Sequence, residues 1–209
     1  MTLVKICGIS SPEHAVFAAS AGAALIGVVF APSRRRISLA VARQIAAAVD
    51  GAAQIVGLFV DATAQEIRET AAYVGLDAVQ LSGTEPVTLL DALGGLTLYK
   101  TVRLQGAPDE AAWLSSDARR VTLLADAHVA GIFGGTGALG DWDAAARLAA
   151  RRSMMLAGGL TSENVAAAIA RVRPWGVDVS SGVETAGSKD PAKIAAFIAA
   201  AQAAIDDRP

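Results

Sequence analysis

Three kinds of chemistry-bearing residue interrupt otherwise apolar stretches of this 209-residue chain. The first is a thiol, Cys7, in Lys5-Ile6-Cys7-Gly8. A thiolate there is a candidate nucleophile or general base, given a pKa lowered from about 8.5. Its plainer reading is a small buried hydrophobe. The second is a carboxylate, Asp126, directly after Leu123-Leu124-Ala125. A carboxyl group closing an apolar run is a general-acid candidate, or else a helix cap or turn residue. The third is a set suited to anions. Gly158-Gly159 and Ser181-Gly182 free backbone N–H groups to face one. Ser33-Arg34-Arg35-Arg36-Ile37-Ser38 supplies guanidinium groups that bind a carboxylate bidentately, or that form a solvated surface cluster. Phe133-Gly134-Gly135-Thr136-Gly137 is flexible enough to close over a ligand or to be a plain loop.

Composition bounds what these residues serve. The chain is 53% hydrophobic with a formal net charge of -2, and its pI is near 5.7. Nothing there favours nucleic acid or an anionic membrane as a partner, and the one basic run, Arg34–Arg36, is too short for a nucleic-acid patch. No apolar run approaches the roughly 18 residues of a membrane helix. The N-terminal Met-Thr-Leu-Val-Lys has no signal-peptide character. One cysteine cannot form an internal disulfide, which points to a reducing, cytoplasmic location. Two histidines and one cysteine give no zinc spacing, so no metal is expected.

Positioning these residues falls to eight short apolar runs: 3–6, 25–30, 54–60, 78–81, 97–102, 121–125, 154–157 and 177–180. They read as near-continuous rather than alternating, as parallel strands covered on both faces do. Ala-rich helical segments follow them, at 12–21, 39–49, 64–73, 86–93, 109–114, 141–150, 162–172 and 191–205. Ser11, Thr63 and Thr161 stand where N-caps are expected. Eight βα units predict an α/β fold, a single (β/α)8 TIM barrel spanning residues 1–209, rather than an open sheet, which would want more than Gly8 after its first strand. In such a barrel Cys7, Asp126, Gly158-Gly159 and Ser181-Gly182 all fall at C-terminal strand ends, where active sites are built. The loops after strands seven and eight are the usual phosphate site, and a helix starting just past Gly159 would add its dipole. The longest irregular stretch, 127–140, follows strand six and would lie over that face.

The ordered set Lys5-Ile6-Cys7-Gly8, Gly27-Val28-Val29-Phe30, Gln80-Leu81, Gly134-Gly135-Thr136-Gly137 with Asp141-Trp142, Ala157-Gly158-Gly159-Leu160 with Asn164-Val165, and Val177 to Glu184 with Lys189-Asp190 resembles the phosphoribosylanthranilate isomerases of tryptophan biosynthesis. The likeness runs the length of the chain. It implies an Amadori rearrangement of N-(5-phosphoribosyl)anthranilate to a 1-deoxyribulose phosphate without cofactor or metal. It implies Cys7 as general base and Asp126 as general acid, the latter holding a proton when the furanose ring opens. It implies Arg35 as receiver of the anthranilate carboxylate, with Arg36 as the alternative because the loop is one residue shorter than usual. Phosphate contacts fall to Gly158, Gly159, Ser181 and Gly182, and Asp178 faces the ribose hydroxyls or the anthranilate amine. The partner implied is a small phosphorylated aminosugar, with a monomer expected and a homodimer as the alternative. Two departures stand out. The histidine usual after Gln-Leu is Ser82 here, and the aromatic residue usual before Asp-Trp is Gly140.

Three other readings compete. Indole-3-glycerol phosphate synthase, a related phosphate-binding barrel, uses lysine and glutamate, and Lys100 is the candidate for a barrel-mouth lysine. A bifunctional isomerase of the histidine pathway would carry two catalytic aspartates and no catalytic cysteine. A non-catalytic phosphometabolite-binding barrel would not need Cys7 and Asp126 together.

Overall fold

The computed structural model describes residues 2–106, 108–126 and 141–206. Gly134 to Gly137, Gly140 and the expected loop over the active face lie outside them.

Eight parallel strands close into a barrel in sequence order: β1 (Leu3–Cys7), β2 (Leu25–Val29), β3 (Gln54–Phe59), β4 (Ala78–Leu81), β5 (Thr97–Val102), β6 (Thr122–Asp126), β7 (Met154–Ala157) and β8 (Gly176–Val179). β1 closes the ring by pairing with both β2 and β8, with Lys5 opposite Asp178 and Cys7 opposite Gly27. The apolar runs therefore mark the expected strands, with ends shifted by one residue at several places. The two shifts that matter bring Cys7 and Asp126 into the last positions of their own strands.

Helices α1 (Pro12–Ser20), α2 (Leu39–Val49), α3 (Ala64–Val74), α4 (Leu89–Ala92), α5 (Pro108–Leu114), α6 (Trp142–Ala149), α7 (Val165–Val172) and α8 (Pro191–Asp206) follow the strands in turn. Ser11 caps α1 by accepting from His14 N–H, and Thr63 with Glu66 makes a reciprocal capping box on α3. Two expected helix starts are corrected. α4 is only four residues long: Leu89, Leu90 and Asp91 N–H bond back to Pro86, Val87 and Thr88, so the stretch before it closes as tighter three-residue turns. α7 begins at Val165 rather than 162, although Thr161 Oγ1 accepts Glu163 N–H at 3.3 Å and Thr161 O accepts Val165 N–H at 3.0 Å, as a capping residue would. There Asn164 Oδ1 accepts Thr161 N–H at 2.8 Å and its Nδ2 donates to Gly159 O at 3.0 Å, so residues 161–164 close a turn before the helix can begin.

Strand alternation sorts the side chains into two cores. Val4, Ile6, Ile26, Val28, Leu81 and Leu123 turn outward and bury against the helices. Leu25, Val56, Ala78, Tyr99, Leu124 and Met155 turn inward and fill the barrel. Tyr99 and Trp175, ring centroids 6.4 Å apart, pack at the N-terminal end of that filling. The inward positions nearer the C-terminal end carry Lys5, Cys7, Gln80, Asp126 and Asp178 instead, so the acid and base side chains of the barrel interior gather toward that end. After β8 come a single 3-10 turn (Ser181–Val183) and a small antiparallel hairpin, β9 (Glu184–Thr185) and β10 (Ser188–Lys189), which the apolar pattern did not announce.

Candidate active site

A cavity of about 510 Å³ opens at the C-terminal ends of the strands. Cys7, Asp126, Arg35, Asp178, Gly158, Gly159, Ser181 and Gly182 all line it. Arg36 does not; it is exposed, and its backbone bridges Val29. Of the two arginines singled out in this loop, Arg35 is thus the one brought to the cavity.

Lys5 is fully buried beneath Cys7, and its ammonium meets Asp178 Oδ1 at 2.9 Å. Burial pushes the lysine toward neutrality, but the Asp178 carboxylate and then Cys7 outweigh it, so its pKa is raised and it stays charged. Burial also dominates at Cys7 and raises its thiol; Lys5 pulls the other way without cancelling the rise. Burial thus works against the lowered thiol pKa set above as a condition, while the ammonium beside Cys7 would stabilise its thiolate. Gly27 makes room for this arrangement. A Cβ there would sit 3.0 Å from Cys7 Sγ and 3.2 Å from Lys5 Nζ.

Asp126 closes β6, three strands from β1 by way of β7 and β8, so acid and base candidates reach the cavity from different sides. The two glycine loops follow β7 and β8. Gly158 and Gly159 take φ of 94° and 67°, a left-handed pair that suits glycine. A Cβ on Gly182 would fall 1.9 Å from Leu160 O, so the loop after β8 presses directly on the loop after β7. Gly158, Gly159 and Leu160 from the first loop and Ser181 and Gly182, which open the 3-10 turn, line the cavity side by side.

Several residues of this region have no role assigned from sequence. Glu184, at the start of the hairpin, accepts from Arg35 Nε at 2.6 Å, Arg34 Nη2 at 2.6 Å and Lys189 Nζ at 2.8 Å. Burial works to raise its carboxyl, but hydrogen bonds from Arg35 and Lys189 prevail and hold it down at about 2. On the far wall, Gln80 Nε2 donates to Ser82 Oγ at 3.1 Å and to Thr101 Oγ1 at 3.2 Å. Ser82, standing where the family often has histidine, thus serves as a hydrogen-bonding partner. Lys5, Gln80, Glu184 and Lys189 stand in the ordered motifs, and Lys5 and Gln80 are marked as polar residues inside apolar runs, but neither signal gives their roles. Lys100 is another such residue, but it turns out of the barrel to Glu85 at 2.6 Å and over the Trp113 ring, and does not line this cavity. Lys100, the lysine put forward for the synthase reading, is therefore not brought to the mouth.

Residues 4–200 match the model of the family described as N-(5'-phosphoribosyl)anthranilate (PRA) isomerase. The N-(5'-phosphoribosyl)anthranilate isomerase of Roseiflexus castenholzii is 54% identical over 209 residues, covering 97% of this chain and 99% of its own. A crystal structure of phosphoribosyl anthranilate isomerase from Thermotoga maritima superposes with a TM-score of 0.86 at 39% identity, covering 97% of this chain and all of that one. A further structure of such an isomerase, in complex with reduced 1-(o-carboxyphenylamino)-1-deoxyribulose 5-phosphate, gives 0.83 at 38% identity, with 97% of this chain and 100% of that chain covered.

Proposed function

The chain belongs to the N-(5'-phosphoribosyl)anthranilate isomerase family, and from that premise we propose how its cavity carries out the rearrangement. The protein is an isomerase of tryptophan biosynthesis that acts on a small phosphorylated substrate. The reading of its site rests on one observation: Cys7 and Asp126, from separate strands, share a cavity with the paired loops after β7 and β8.

Backbone N–H groups of Gly158, Gly159, Ser181 and Gly182 hold the phosphate, and Arg35 receives the anthranilate carboxylate at the other end. Held at both ends, the sugar presents C1 and C2 between the two side chains. Asp126 gives its proton to the furanose oxygen; the C1–O bond breaks and a protonated Schiff base forms. Cys7, as thiolate, takes the C2 proton and the electron pair flows to C1, giving an enolamine. Tautomerisation to the ketone moves a proton from the C2 hydroxyl to C1. The product is an isomer of the substrate, C1 being reduced as C2 is oxidised. One proton has passed from Asp126 to Cys7, and exchange with solvent resets the pair. Lys5, beside Cys7 and paired with Asp178, stabilises the thiolate that the step requires. Asp178, at the cavity wall, orients the ribose hydroxyls or the anthranilate amine. The chain works as one catalytic domain in the cytoplasm. We read it as a monomer; a species of twice 21.2 kDa in sedimentation would replace that with a homodimer.

Loss of anthranilate-adduct fluorescence measures turnover directly. Cys7→Ala and Asp126→Asn should each lower kcat by about 100-fold or more while leaving affinity for the reduced product analogue nearly intact. Full turnover in either variant would remove that residue from its role. Turnover absent in the unmodified protein would overturn the whole reading.

A further inference from the structure

Glu184 has no part in these proton transfers, yet it is buried at the cavity rim with an elaborate set of partners. Its side chain is only 5% exposed, and Arg34, Arg35 and Lys189 all reach it. Leaving a carboxylate in such a place is costly unless its partners are held in good geometry.

The geometry at Arg35 gives the clue. A guanidinium has two forked edges, one of Nε with a terminal nitrogen and one of both terminal nitrogens. Glu184 occupies the first, with Arg35 Nε on Oε1 at 2.6 Å and Nη2 on Oε2 at 3.0 Å. Among the described residues nothing takes the other edge, which leaves it for a ligand. The arginine's stem is fixed as well. It crosses directly over Gly8, where a Cβ would stand 2.4 Å from Arg35 Cδ. From Glu184 the contacts continue to the phosphate end. Lys189 Nζ, 2.8 Å from Glu184 Oε1, also donates to Ser180 O at 2.8 Å and Ser180 Oγ at 3.3 Å, and Ser180 immediately precedes Ser181-Gly182. Hairpin pairing places Glu184 opposite Lys189, across a turn in which Ala186 and Gly187 take φ of 50° and 84°.

We propose that Glu184 is a positioning residue that fixes one edge of Arg35 so that its free edge meets the ligand's carboxylate at a set distance from the phosphate loops. Arg35, Glu184, Lys189 and Ser180 form a brace around one side of the mouth. The brace makes a carboxylate on the ring end of the ligand a specificity requirement rather than a mere source of attraction. This rests on Arg35 being the carboxylate receiver.

Two ligands separate the possibilities: reduced 1-(o-carboxyphenylamino)-1-deoxyribulose 5-phosphate and its counterpart lacking the carboxylate. Binding of each is measured by calorimetry for the unmodified protein and for Arg35→Ala, Glu184→Gln and Glu184→Asp. Glu184→Asp retains the charge beside Lys189 and guards against failure of the Gln variant to fold. Arg35→Ala should weaken the carboxylated ligand alone. Both Glu184 variants should do the same, by roughly tenfold, the scale of one misdirected charge-assisted hydrogen bond. Adding Glu184→Asp to Arg35→Ala should bring no further loss for that ligand. If Arg35→Ala is selective and folded Glu184 variants weaken both ligands equally, or neither, the brace is wrong and Arg35 stands. If Arg35→Ala is itself unselective, the assignment of Arg35 falls and the brace with it.

Discussion

Burial raises the Cys7 thiol, and the Lys5 ammonium beside it opposes that rise without cancelling it. Alkylation of Cys7 by iodoacetamide follows the thiolate fraction, so its rate should still be climbing above about pH 8.5, the ordinary thiol value. A rate that levels off below that pH would show that burial does not dominate at Cys7. Lys5 bears on folding as well as on chemistry. Lys5→Met leaves Asp178 buried without its ammonium, a change expected to cost about 3–5 kcal/mol in urea unfolding. Asp178→Leu added to Lys5→Met should recover much of that loss; a single-variant cost below about 1 kcal/mol would mean the pair is not held as described. Sequence reading found Cys7 and Asp126 because each is a reactive group ending an apolar run. It gave no partner to Lys5, because Asp178 is 173 positions away and only barrel closure brings them together.

Loops after β7 and β8 act as one element because Gly182 lies against Leu160 O. Gly182→Ala forces backbone apart there, and no side-chain rotation can relieve the clash. Overpacking of this kind costs about 1–3 kcal/mol. In steady-state assays KM should rise several-fold, and weaker inhibition by inorganic phosphate should accompany it; unchanged KM and phosphate inhibition would detach Gly182 from the phosphate site. Local patterning misjudged this stretch in an instructive way. Thr161 followed by Ser162-Glu163 has the composition of a helix start, and Thr161 Oγ1 does accept Glu163 N–H, but regular helix begins only at Val165. Asn164, which accepts Thr161 N–H and ties back to Gly159, pins the glycine turn just ahead of it. The β9–β10 hairpin went unseen for another reason. Each strand is two residues long, too short for a period-2 pattern to register.

Around the mouth, charge is distributed unevenly. Lys5, Arg34, Arg35 and Lys189 face Asp178 and Glu184 on the arc formed by β8, β1, β2 and the hairpin, four cations against two carboxylates in a chain whose net charge is -2. A ligand with a phosphate and a carboxylate is drawn to that arc. Its association rate, followed by stopped-flow fluorescence, should fall when salt is raised from about 0.05 to about 0.5 M, as the screening length shortens; a salt-independent rate would show that the arc does not steer. At this scale the architecture was legible, since eight apolar runs of strand length between helical segments leave few alternatives to a closed barrel. The polarity of its mouth was not, because it arises from pairings between strands at opposite ends of the chain. The inward core of Leu25, Val56, Ala78, Tyr99, Leu124 and Met155 closes the barrel beneath the cavity. Among the described residues no passage runs down the barrel axis, so product leaves by the face at which substrate enters; each departing molecule contends with the next arrival, and product inhibition takes the competitive form.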